Sequence, residues 1–333
     1  MQSFFSILML IIGFFLLIKC ADLFVDGSSS IAKTLKIPSI LVGLTIVSMG
    51  TSAPELAVSA SAGLKGANEI AISTVVGSNV FNMLFVLGLC SMIKPLPVLS
   101  SIRTKTFPYQ TLSTLLLMLL VADVYLPWTS IFKGIQASYK LNQAVGVLGR
   151  TDSVILLILF GAFLYTAISG ALKGRSKFEE AETVKLSFWK SVIYIIGGIA
   201  GIILGGNLVV DNASSLAREL GMSQTLVGLT IVAIGTSLPE LVTSVVASKK
   251  GETEIAVGNV VGSNIFNILF ILGLSSGIQP IIVTMASLID IGFLFLISLY
   301  IYVLLLTRKS ISRLEGLSLI AIYCIYTFYI INR

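Results

Sequence analysis

The sequence predicts an all-α integral membrane protein of ten transmembrane helices, arranged as two inverted-topology repeats of five. Three observations carry that expectation. Of 333 residues, 56% are hydrophobic and 11% charged, with a mean hydropathy of +0.99; a soluble domain carries about 25% charged residues. The apolar residues fall in long runs, such as 7–18 and 154–165, within segments near the about 20 residues that cross a hydrocarbon core of about 30 Å. Finally, the stretch 41–89 recurs without a gap at 226–274.

In order, the predicted spans are 4–25, 40–63, 69–93, 107–126, 153–173, 188–211, 225–248, 254–279, 284–306 and 313–331. The first lacks a basic leader and a small-residue cleavage site, so it reads as a retained helix rather than a signal peptide. Residues 122–150 are weakly apolar and hold Pro127 and Trp128, which suits a loop with an interfacial stretch. The polar gap 174–187 divides the chain into a first repeat, 1–173, and a second, 188–333. Loops joining the first and second, third and fourth, and so on alternately, hold fifteen Lys and Arg; the opposite side holds six. Lys19 snorkels from the end of the first span. The positive-inside rule then places the 174–187 linker in the cytosol and both termini outside, in a plasma or inner membrane.

The net charge of +6 does not signal nucleic acid, because the cations sit in short gaps between apolar spans. Cys20, Cys90 and Cys324 have unrelated spacings and read as small apolar packing residues, not a disulfide framework or zinc site. With no histidine, proton chemistry inside the bilayer would fall to carboxylates. No phosphate loop, dinucleotide fingerprint or nucleophile constellation is present, so neither an enzyme nor an ATP-driven pump is expected, and no cofactor is implied.

The repeat holds an offset of 185 residues, with about two-thirds of the pairs identical. It includes GTSxPEL at 50–56 and 235–241, and VVGSNxFN at 75–82 and 260–267. Asp26 pairs with Asp211 by the same offset, for which a structural role and a part in cation access are equally open. Asp290 aligns with Lys105 and has no counterpart. Five helices per unit is an odd number, so the second copy enters the bilayer from the opposite side. Lys65 accordingly falls outside and its partner Lys250 inside. Such halves can exchange inward and outward conformations around a midplane site.

Glu55 and Glu240 stand inside apolar spans with no Lys or Arg at matching depth. A buried acid there costs at least about 2.5–3.5 kcal/mol and marks function. Pro54 and Pro239 precede them, each removing a backbone donor from the carbonyl four residues back. Carbonyls near Ser48, Met49, Ala233 and Ile234 are thereby expected to face a cavity. Thr51, Ser52, Thr236 and Ser237 add hydroxyls on the same turns. On the neighbouring spans Ser78 and Asn82, and likewise Ser263 and Asn267, are four apart and share a face. Asn79 and Asn264 point elsewhere and are read as packing residues. This inventory is all oxygen, which selects hard cations. Ca²⁺ takes about 6–8 oxygens and two carboxylates neutralise it; Na⁺ competing for the same oxygens is the simplest basis for antiport.

At these motifs the chain resembles the cation/calcium exchanger superfamily, specifically its sodium/calcium exchanger branch of prokaryotic type. The GTSxPE and GSNxFN segments are similar to that family's two alpha repeats. The resemblance implies a secondary antiporter working as a monomer. Glu55 and Glu240 would ligate Ca²⁺. Thr51, Ser52, Ser78, Thr236, Ser237 and Ser263, with carbonyls near Ser48 and Ala233, would complete the Ca²⁺ and Na⁺ sites. Asn82 and Asn267 fall where the family has Asn or Asp; members with Asp there include potassium-dependent ones, and Asn267 departs from them. The proton-coupled branch has a second acid in a Gly-Asn-Ala-x-Glu motif that this chain lacks, yet proton-coupled exchange on the same fold is the nearest alternative. A cation channel, which needs no counter-ion, and a structural membrane protein, which shows no flux, are the readings of other classes.

Overall fold

The computed structural model describes residues 2–65, 68–122, 144–174, 186–221 and 233–332. Among them, seven helices are long and apolar enough to cross a membrane, and an eighth span results if one bent pair is taken together. The chain is thus an all-helical membrane protein.

Helix α1 (Gln2–Leu35) has 34 residues, about 51 Å at about 1.5 Å per residue. It runs ten residues past the span expected from hydropathy, so Asp26 and Ser28 to Ser30 lie on the helix rather than beyond it. Lys36, at φ 54°, turns the chain out, and the Ile37 N–H closes onto the Ala32 carbonyl at 2.9 Å, immediately before Pro38. The next span is broken: α2 (Ser39–Thr51) and α3 (Ala53–Lys65) meet at 48°. Ser52 occupies the joint, with φ −82° and ψ 10°. The cause is Pro54, which has no N–H for the Gly50 carbonyl and whose ring crowds it. Helix α4 runs from Asn68 through a wider π-type turn at Asn82–Val86 to Ile93. Helix α5 (Phe107–Ala122) follows a similar turn at Ile102–Thr106, and α6 (Arg150–Gly174) closes the first half.

The second half repeats these features. Helix α7 (Phe188–Glu219) is again overlong against its expected end at 211. The broken pair recurs as α8 (Ala233–Thr236) and α9 (Leu238–Lys250), with Ser237 at the joint, φ −92° and ψ 5°, and Pro239 in the first turn of α9. Gly251, at φ 82°, terminates α9. Helix α10 (Thr253–Ile278) carries its own π-type turn at Phe266–Ile271, aligned by the repeat with the turn in α4. Helices α11 (Met285–Thr307) and α12 (Arg313–Asn332) complete the chain.

All-helical describes the spans, but not every connection. The expected loop at 122–150 contains strand β2 (Ala144–Leu148), antiparallel to β3 (Ile281–Thr284). A second ladder joins β1 (Leu96–Pro97) to β4 (Ser310–Ile311). Short ladders pair backbone groups that apolar surroundings would otherwise leave unsatisfied, and two to five residues are too few to show alternation in sequence. Most of that expected loop, residues 123–143, and most of the 174–187 linker, residues 175–185, fall outside the described residues, as does the start of the seventh predicted span.

Burial separates helices of similar hydropathy. Helix α10 is almost wholly enclosed by protein and α4 mostly so, while α1, α6 and α12 turn most of their apolar surface outward. One core surrounds α4 and α10, including Val80, Met83, Leu84, Val261, Ile268 and Leu269. A second lies between α1 and α7, around Leu17, Phe24, Ile202 and Val209. There the helices approach through glycine: a Cβ on Gly205 would lie 2.9 Å from the Gly13 carbonyl oxygen, and one on Gly198 2.7 Å from the Phe24 Cβ. Close small-residue contact is how helices gain packing energy where lipid removes the hydrophobic drive.

Candidate cation site

The two broken spans and the two enclosed helices converge on a cluster of polar side chains. Glu55 follows the joint on α3 and Glu240 the joint on α9; both are completely buried. Among the described residues no Lys or Arg pairs with either. Their hydrogen bonds cross between repeats. The Ser52 hydroxyl donates to Glu240 Oε1 at 2.7 Å, and Ser237, its repeat counterpart, donates to Glu55 Oε1 at 3.1 Å. Ser78 on α4 also donates to Glu55 Oε1, at 3.2 Å, and Ser237 lies 3.0 Å from Ser78 Oγ.

The asparagines interlock in the same reciprocal way. Asn79 Nδ2 donates to the Asn264 carbonyl at 3.2 Å, and Asn264 Nδ2 to the Asn79 carbonyl at 3.5 Å. Asn82 Nδ2 donates to Asn264 Oδ1, while Asn267 Nδ2 donates to Asn79 Oδ1 and reaches Ser78 Oγ. Contacts in which i meets j and its counterpart returns the contact are what a two-fold relation between the halves produces. Asn79 and Asn264 therefore do more than fill space: they tie α4 to α10.

Among the carboxylates and amides of this cluster, four buried oxygens have no hydrogen-bond partner: Oε2 of Glu55, Oε2 of Glu240, Oδ1 of Asn82 and Oδ1 of Asn267. They form two pairs at the repeat offset. A buried acceptor left unmatched costs about 1–3 kcal/mol, and more when charged. Four unmatched acceptors, two of them carboxylate oxygens, are the complement of a cation.

Not every expected residue takes its expected place. Ser48 is buried at the end of α2, but its carbonyl is not freed: it accepts the Ser52 N–H at 3.0 Å, with the hydroxyls of Thr51 at 3.3 Å and Ser263 at 3.4 Å. Likewise the Ile234 carbonyl accepts the Ser237 N–H at 3.1 Å. At the second joint the last turn tightens to an i→i−3 bond, while at the first the ordinary i→i−4 bond persists. Ser263 bonds α2 rather than Glu240. Thr236 is half-buried at the second joint. Ala233 opens α8, and its side chain falls outside the described residues. Asp26 is half-exposed and pairs with Lys250 Nζ at 2.7 Å, and Asp22 with the same Nζ at 3.3 Å. Asp211 is exposed on α7, whereas Asp290 is buried in α11.

One buried residue escaped the sequence reading. Asn259 on α10 accepts from Thr51 Oγ1 at 3.0 Å and donates to the Glu240 carbonyl oxygen and to Ser244 Oγ. A signal for it existed, since Asn259, Ser263 and Asn267 recur every four residues along one face.

Fold and site together define a multi-pass membrane protein whose related halves meet around two buried acids, the build of an ion transporter. The sodium/calcium exchanger protein family matches residues 5–169 and 190–332, and the chain belongs to that family. It is 34% identical to the putative antiporter CaxA of Alkalimonas amylolytica, over 97% of each chain. It is 31% identical to the sodium/calcium exchanger MaX1 of Methanosarcina acetivorans, over 98% of this chain and 99% of that one. Solved structures of the sodium-calcium exchanger NCX_Mj superpose with a TM-score of 0.80 at 29% identity, covering 97% of this chain and 98% of theirs. Members of the family are secondary transporters rather than enzymes, and the matches support antiport of cations against Ca²⁺.

Proposed function

We propose that the chain exchanges Ca²⁺ for Na⁺ by alternating access around a midplane site built on Glu55 and Glu240. The observation that carries the reading is the crossed pairing of Ser52 with Glu240 and Ser237 with Glu55, which leaves one buried oxygen of each carboxylate unmatched. Two carboxylates cancel the charge of one Ca²⁺. Hydroxyl and amide oxygens from Thr51, Ser52, Ser78, Asn82, Thr236, Ser237, Ser263 and Asn267 bring the count toward the about 6–8 that Ca²⁺ takes. Na⁺ competing for these oxygens couples the two fluxes. Ten spans in two inverted repeats, with both termini outside a plasma or inner membrane, give each half the role of the other when the site changes sides. All the proposed ligands come from one chain, so a monomer suffices.

Purified protein in liposomes tests this. Glu55→Gln and Glu240→Gln each remove one charge from a buried dication site. Breaking a buried charge pair costs about 3–5 kcal/mol, so sodium-driven ⁴⁵Ca uptake falls by about 10²–10⁴-fold at low Ca²⁺. Wild-type uptake in both variants would refute the site. Replacing the sodium gradient with a pH gradient distinguishes proton-coupled exchange, and uptake persisting with no counter-ion would indicate a channel.

A further inference from the structure

The structure assigns Asn259 a positioning role in the site proposed above: it draws the Thr51 hydroxyl proton away from the ion path, so that Thr51 presents lone pairs to the cation. A hydroxyl carries one proton and two acceptor sites, and only an acceptor site can ligate a cation. A proton left facing the ion would repel it.

Three acceptors lie within reach of that proton. Asn259 Oδ1 is at 3.0 Å and the Ser48 carbonyl at 3.3 Å, and the Glu240 carboxylate is beside it. The Ser48 carbonyl already takes the Ser52 N–H. A bond to Glu240 would interpose the proton between two groups meant for the same ion, and a charged acceptor would otherwise hold it strongly. Asn259 Oδ1 offers the alternative, and its orientation is determined. Nδ2 donates to the Glu240 carbonyl oxygen at 3.3 Å and to Ser244 Oγ at 2.9 Å. A backbone carbonyl only accepts, so the amide nitrogen must face it, which turns Oδ1 toward Thr51. Asn259 is fully buried, and both amide hydrogens are used. It links the end of α2, from the first repeat, to the first turn of α9, from the second.

The residue aligned with Asn259 is Thr74, whose single hydroxyl hydrogen cannot make two donations. The two acids are equivalent by sequence, but the residues at the aligned positions 259 and 74 are not.

The test is a double-mutant cycle on the full chain, reading ⁴⁵Ca equilibrium binding and sodium-driven uptake. Thr51→Val removes the ligand oxygen, and Asn259→Ala removes the proton acceptor. Each is expected to weaken Ca²⁺ binding about tenfold, and sodium-driven uptake at low Ca²⁺ is expected to fall with it. Once Thr51 is Val, Asn259→Ala is expected to add nothing. Should Asn259→Ala fail to fold, Asn259→Thr, the residue of the aligned position, takes its place in the cycle. A full tenfold effect of the Asn259 variant in the Thr51→Val background would overturn the proposal, because Asn259 would then act through packing. So would unchanged affinity in the Asn259 variant alone. Unchanged affinity in Thr51→Val would instead defeat the reading of Thr51 as a ligand, the separate premise beneath it.

Discussion

Helix α2 carries Ser48 and Thr51 and lies against α10 with almost no room between backbones, so one added methyl group at Gly262 makes a demanding perturbation. A Cβ there would lie 2.7 Å from both the Leu44 carbonyl oxygen and Ser48 Oγ, and 2.8 Å from the Leu44 Cα. Ordinary contact begins at about 3.5 Å, so α2 must withdraw by about 0.8 Å. Two of the three obstructing atoms are backbone and cannot swing aside. The strain of inserting a carbon into a packed interior is about 1–3 kcal/mol. If expressed in Ca²⁺ binding, that corresponds to about 5–150-fold. Gly262→Ala is therefore expected to lower the thermal midpoint in detergent and to weaken ⁴⁵Ca binding within that range. Gly161→Ala, on the exposed face of α6, serves as the control and should leave both unchanged. A Gly262→Ala protein with wild-type midpoint and wild-type Ca²⁺ affinity would refute the argument that this contact holds the first half of the broken span in place.

Two further perturbations probe contacts outside the glutamates. Asn79→Ala removes the donor to the Asn264 carbonyl and the Oδ1 that accepts from Asn267, for an expected loss of about 1–3 kcal/mol; adding Asn264→Ala should cost less than a second such increment, since both belong to one network, as denaturation midpoints will show. Lys250→Ala frees Asp22 and Asp26 from a partly exposed ion pair; the expected change is at most about 1 kcal/mol, visible as a shift in midpoint at low ionic strength that shrinks in about 1 M salt.

Much of the site was legible in the chain, for local reasons. A proline before an acid in an apolar run marks both a break and a buried charge, and Pro54 with Glu55 and Pro239 with Glu240 behave accordingly. Ser78 and Asn82 share a face because a helix brings residues four apart together. Other features were not legible. Hydropathy ended α1 and α7 early, since it registers Asp26 and Asp211 as exits from the bilayer while a helix needs only continued backbone pairing. The ladder between β2 and β3 joins residues more than 130 positions apart, and nothing local announces it. The carbonyls of Ser48 and Ile234 accept hydrogen bonds within the protein, because the proline rule says which donor is lost but not which other donors reach the carbonyls nearby.

By itself the sequence determined that the chain is a membrane protein, that it is duplicated and where its spans break, and it supplied the all-oxygen inventory on which the proposed site rests. Each of these follows from residue type and from spacings of a few residues. Only the tertiary structure decided which half serves which acid. Ser237 stands three residues before Glu240 yet bonds Glu55, 182 positions away, and Ser52 mirrors it with Glu240 across 188. The reason is geometric: each joint serine's hydroxyl meets the acid of the broken span packed opposite, so its partner is set by how the two halves pack and not by neighbours in the chain.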